Sequence, residues 1–168
     1  MLTKRTIASS VAIAAVALAG LTTTTLAKDS GRVRSDKMVG VPATMTGAAG
    51  NIRGIVGGGF PWTIGEAEIS VSASGDIHAE FDDLVFSAGP NSGKNPIGSM
   101  AVVVSCLDAD NHPVNVTSAP FPVTVASATD PGGDADVETR VTLPSPCFAP
   151  IAFITNATGV AWFAVDGL

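Results

Sequence analysis

The sequence predicts an all-β domain: an antiparallel two-sheet β-sandwich, Ig-like or jelly-roll-like, of about 8–9 strands with one disulfide, a closed β-barrel being the alternative. Three observations predict it. Residues 66–74, "EAEISVSAS", alternate strictly, with Ala67, Ile69, Val71 and Ala73 on one side and Glu66, Glu68, Ser70 and Ser72 on the other. No segment longer than a turn or two repeats its apolar residues with a helical period. The chain carries 18 glycines and 11 prolines but no tyrosine, a composition suited to short strands joined by turns.

Residues 1–27 read as an export signal. Lys4 and Arg5 precede an apolar run from Ile7 to Leu21, too short to span a bilayer, and Thr25-Leu26-Ala27 offers small residues for cleavage. The expected location is therefore secreted or cell-envelope, periplasmic if the envelope is Gram-negative, with no membrane span in the mature chain. Residues 28–39 read as a basic flexible arm, with Lys28, Arg32, Arg34 and Lys37 against Asp29 and Asp36. Residues 40–168 are the expected single domain, long enough for its own core. From Met38 onward only Arg53, Lys94 and Arg140 oppose thirteen acids, which excludes nucleic acid as an expected partner.

Within the domain, a glycine-rich strand or pair falls in 40–57. The 66–74 strand turns through Ser74-Gly75-Asp76 into Ile77, Ala79 and Phe81, with His78, Glu80 and Asp82 facing away. An odd loop keeps the two apolar rows together; the expected register sets Ala73 opposite Ile77, Glu68 opposite Asp82 and Ser70 opposite Glu80. Further strands are expected at 99–107, 113–118, 121–126, 135–143, 150–156 and 159–166. Met100–Leu107 and Val160–Val165 are apolar on both faces, so they belong in a doubly covered sheet or against a partner such as a second copy.

Cys106 and Cys147 are the two cysteines. In an exported chain they are expected to form a disulfide, closing a loop of about 40 residues worth roughly 4 kcal/mol in the chain-entropy model. The neighbouring Asp108 and Asp110 disfavour a thiolate, which argues against a nucleophile. Asp108-Ala109-Asp110 starts like a calcium loop, but His112 and Pro113 break the pattern and Ala119 stands where its last ligand belongs. "GPNSGKNP" at 89–96 imitates a phosphate loop with one residue missing and Asn95 in place of the magnesium-binding hydroxyl.

Three other features invite chemistry. Asp130, Asp134 and Asp136 in "TDPGGDAD" form an acidic turn that is a candidate Ca2+ site, the one cofactor the sequence suggests. Trp62 in "GGGFPW" is a candidate carbohydrate platform, although such a segment more often tucks under a sheet edge. His78 sits between acids on the wet face of its strand. None of these completes a catalytic set, so no enzyme is expected.

The series "GGGFPW", "LVFSAGPNSGKNPI", "VVVSCLD", "TLPSPCFAPIAFIT" and "WFAV" resembles a set of small exported bacterial β-rich proteins with no assigned function. The likeness runs from about Gly54 to Val165 and implies a bacterial exported β protein, with no catalytic or binding residue attached. The expected function is a non-enzymatic extracellular or cell-envelope interaction module whose molecular partner the sequence leaves unknown, a second copy or an envelope protein being the candidates. The alternative is a small-ligand binder for carbohydrate or Ca2+.

Overall fold

A computed structural model describes residues 33–166. The expected export signal and residues 28–32 of the expected arm lie outside the described residues. The fold is nearly all β. In chain order the strands are β1 Val33–Ser35, β2 Met38–Gly40, β3 Gly47–Ile52, β4 Ile55–Gly57, β5 Trp62–Thr63, β6 Ala67–Val71 and β7 Asp76–Phe81. There follow β8 Val85–Phe86, β9 Ser99–Leu107, β10 Pro113–Thr117, β11 Phe121–Pro122, β12 Ala135–Arg140, β13 Phe148–Asn156 and β14 Ala161–Asp166. Eight of these are five residues or longer, which accounts for the expected number; the others are pieces of two or three residues.

A four-stranded sheet, β1-β6-β7-β12, faces an eight-stranded one, β10-β9-β13-β14-β4-β3, with β11 on β9 and β2 on β14. β5 and β8 form a small third sheet. Pairing is antiparallel except between β14 and β4. The larger sheet curls into a half-barrel, so the sandwich carries a trace of the barrel alternative. Arg53, at the turn between β3 and β4, ties the curl together. Its Nη1 donates to the Ser105 and Ala149 carbonyls at 2.9 and 2.8 Å, and its own carbonyl accepts from Asn115 Nδ2 at 2.9 Å.

This curl explains the doubly apolar β9. Phe121 pairs with Met100 and lies 6.4 Å from Phe81 on β7, so Met100, Val102, Val104 and Cys106 face the four-stranded sheet. Ala101, Val103 and Ser105 face into the curl. Every residue from Met100 to Cys106 is 0% exposed within a single chain. Of the two alternatives for this strand, the doubly covered sheet is the one found: the chain covers both faces itself. On β14, Trp162–Val165 are likewise buried, and only Val160, in the preceding turn, stands exposed.

Two further expectations need correction. The arm at 28–39 is not free over its described part, because Val33 pairs with Val71 and Val39 with Val165, which lets the chain cross from one sheet to the other. The hairpin loop is odd, as expected, but the register lies two residues away. Val71 faces Ile77, Ser70 faces His78 and Glu68 faces Glu80. Ser72 N–H bonds the Asp76 carbonyl, leaving Ala73-Ser74-Gly75 as the loop, with Gly75 in its last position at φ 86°. A three-residue hairpin needs a left-handed residue there, and a side chain at Gly75 would also strike the Val141 carbonyl. The glycine, not the alternation, fixes where the turn falls.

Candidate functional site

Strict alternation gives the four-stranded sheet one buried and one wet face, and the registers align the wet residues in rows across strands. Arg34, Ser70, His78 and Glu138 form one row, and Glu68, Glu80 and Asp136 form the next. Glu80 thus stands directly between two other carboxylates. Like charges opposed across a ladder destabilise it. Relief comes from the neighbouring row, where Arg34 lies 3.8 Å from Glu68; His78 Nδ1 lies 4.0 Å from Asp136. At the far end Arg140 pairs with Asp76 at 3.0 Å. The Ser74 hydroxyl, donating to Asp76 at 2.6 Å, and then Arg140 hold that carboxyl below its usual range.

Two clefts border this face. One, of about 610 Å³, lies between the β1–β2 crossover and the β6–β7 ladder. Met38, Val39, Ala67 and Phe81 line it together with five carboxylates, Asp36, Glu66, Glu68, Glu80 and Asp82; Lys37 is its one cation. The other, of about 640 Å³, runs over Ser70, His78, Glu138 and Thr139, with Arg34 and Arg140 along it. The acids therefore gather toward the crossover end of the face, and the mixed charges toward the hairpin end.

The residues singled out in the sequence take different places. Cys106 and Cys147 are bonded to each other, with Cα atoms 4.9 Å apart, so the thiol stretch is a staple running into a turn. In that turn Asp108 Oδ1 accepts the N–H groups of Asp110 and His112, both at 2.8 Å, and the two bonds, that from His112 the larger influence, hold its carboxyl below the usual range. Among the described residues, Asp108, Asp110 and His112 form the one group of three whose ligand atoms lie within 4.8 Å of one another. Asp130, Asp134 and Asp136 are not brought together. Asp130 Oδ1 accepts from Gly132 N–H, and Asp134 accepts from Asp83 N–H and the Thr124 hydroxyl. Asp136 sits on β12, turned toward His78. The first two carboxylates already serve the turn, and the third stands on another element.

Trp62 is 3% exposed, stacked at 4.3 Å on Phe163 and at the same distance from Phe86. It packs so closely that Gly58 has no room for a side chain, which would lie 2.8 Å from Trp62 Nε1. The carbohydrate-platform expectation at Trp62 is corrected: the indole anchors the small sheet to the large one. The imitation phosphate loop is a surface loop braced by Asn95, whose buried amide donates to the Ile97 and Thr124 carbonyls and accepts from Ile97 N–H.

Sequence reasoning missed Arg34 as part of a sheet, and it missed the Arg53–Asp166 neighbourhood. Asp166 accepts from Ala152 N–H at 3.1 Å; burial pushes its carboxyl up to about 6, against the opposing pull of that bond and of Arg53. Both residues read as lone charges among apolar neighbours, a signal that a buried partner exists. Comparisons with family models, with curated proteins and with solved structures found no match to this chain.

Proposed function

We propose that the protein is a non-enzymatic interaction module acting outside the cytoplasm, which takes a cationic partner on the outer face of its four-stranded sheet. The observation that carries this reading is the cleft at the crossover, where Val39, the exposed apolar side chain of the lining, stands with five carboxylates and a single lysine. Such a lining suits an amphipathic cation, whose charge meets the carboxylates while its aliphatic stem lies against Val39, as lysine and arginine stems do on apolar surface. The acid row Glu68–Glu80–Asp136 extends the same potential across three strands.

Chemistry elsewhere supports a binding role. The thiols are joined to one another. A disulfide in a chain with an expected export signal fits an oxidising compartment.

Calorimetric titration with pentalysine and with pentaglutamate tests the reading. Saturable, salt-sensitive binding of the first and none of the second is expected. Equal heats for both, or a response to calcium chloride or simple sugars instead, favours the small-ligand alternative.

A further inference from the structure

The wet face ends on β12, and the phase of the ladder decides what that edge offers. Ser72 N–H donates to the Asp76 carbonyl at 2.8 Å and Asp82 N–H to the Glu66 carbonyl at 3.0 Å, so the even-numbered residues of β7 bond toward β6. The odd-numbered residues bond the other way, toward Ala135, Val137 and Thr139, and Val141 N–H continues the series onto the Gly75 carbonyl at 2.9 Å. Asp136, Glu138 and Arg140 consequently point their N–H and C=O groups away from the sheet, and among the described residues nothing pairs with them. An unpaired row of this kind is a template for another strand.

We propose that the β12 edge is a strand-addition site for an extended, cationic segment of a partner, with basic residues at alternate positions; this deepens the acidic-face reading and rests on it. Backbone pairing supplies affinity in such a mode, and the side chains at every second position supply selectivity. Asp136 and Glu138 are exposed on the outer face, and Glu80 stands beside Asp136 in the next strand. An added strand therefore sets alternate side chains against carboxylates. Arg140 does not oppose this, since Asp76 already pairs with it at 3.0 Å.

Charge and geometry select this edge and this occupant. β1 is only three residues long, β10 opens on Pro113 and has Asn115 held to Arg53, and β3, six residues long like β12, carries no charged side chain. A second copy in the register that joins all three outward residues sets Glu138 against Glu138 and Asp136 against an Arg140 already paired with Asp76, so what disfavours it is the same net sign of the two bodies.

The test uses a blocked peptide of alternating valine and lysine, with its valine–glutamate counterpart as control, titrated into the 15N-labelled protein at low salt. Binding is expected for the lysine peptide, with new hydrogen-exchange protection at the amides of Asp136, Glu138 and Arg140. Glu138→Pro removes one outward donor while leaving the bonds to β7, because proline is tolerated where an edge N–H faces solvent. About tenfold weaker binding is expected. If that variant does not fold, Glu138→Lys keeps the backbone and reverses the charge, with weakening again expected. Binding without added protection at those three amides overturns strand addition and leaves the acidic-face reading standing. No binding at all overturns both, and a dimer dissolved by Glu138→Pro makes a second copy the occupant.

Discussion

Glu68 and Glu80 face each other across the β6–β7 ladder, and Glu80 faces Asp136 on its other side. A row of three carboxylates on one sheet costs stability unless something cationic lies over it. Neutralising its centre should therefore stabilise the free protein. Glu80→Gln is expected to add about 0.2–1 kcal/mol at low ionic strength, with the gain shrinking as salt screens the row. Thermal melts at two salt concentrations check it; a loss of stability contradicts the repulsion.

Asp166 should give the fold a distinctive pH dependence. Its carboxyl is raised in the native state to about 6 from an ordinary 3.8, mainly by burial. Between those values the native chain holds a proton that the unfolded chain has released. The resulting stabilisation is complete below the lower value and is lost as pH rises through the upper one. Asp166→Asn keeps an acceptor for Ala152 N–H and should flatten stability between about pH 4 and 6. Below that window Asp76 and Asp108, both held low by hydrogen bonds, should take protons and destabilise the fold. Urea titrations across pH measure all of this, and an unchanged slope in the Asn variant contradicts the assignment.

The disulfide spans 41 residues, and in the chain-entropy model a loop of that length contributes about 4 kcal/mol. Cys106→Ala/Cys147→Ala should lose stability of that order without changing the strand content seen by circular dichroism. The protein denatured without reductant should show no reactive thiol; two would contradict the staple.

Asn95 is fully buried, with three hydrogen bonds from one amide, so Asn95→Ala strands the Ile97 and Thr124 backbone groups. A loss of about 2–4 kcal/mol is expected from unsatisfied buried groups. Chemical denaturation provides the value, and a change under half a kilocalorie contradicts the brace.

Both tryptophans are buried, Trp62 at 3% and Trp162 at 1% exposure. Acrylamide should quench native fluorescence weakly, and sugars should leave it unchanged. Strong quenching contradicts the placement of Trp62 against Phe163.

The alternation of 66–74 and 77–82 made the wet face legible, because a period of two says directly which side chains share a side. The thiol pair was legible from the expected compartment and the count of two. Long-range placement was not. Nothing local to Arg34 says that it completes a row with Ser70, and nothing near Arg53 says that it reaches Ala149 across a curl. Periodicity also stops at the turn: the offset between Ala73 and Val71 as the partner of Ile77 was decided by the left-handed glycine at 75. For Met100–Cys106 the pattern showed that both faces are covered but not by what, and the cover proved to be the same chain.

The claim on which the functional account turns is that the carboxylates at the crossover end of the four-stranded sheet receive a cation-bearing partner. Its most direct test is the affinity for pentalysine of the native chain and of a Glu68→Gln/Glu80→Gln/Asp136→Asn variant, each at about 20 and 200 mM salt. The account predicts binding to the native chain that weakens with salt and is lost in the variant, which should melt no lower than the native protein. Equal affinity of the two chains at low salt contradicts it.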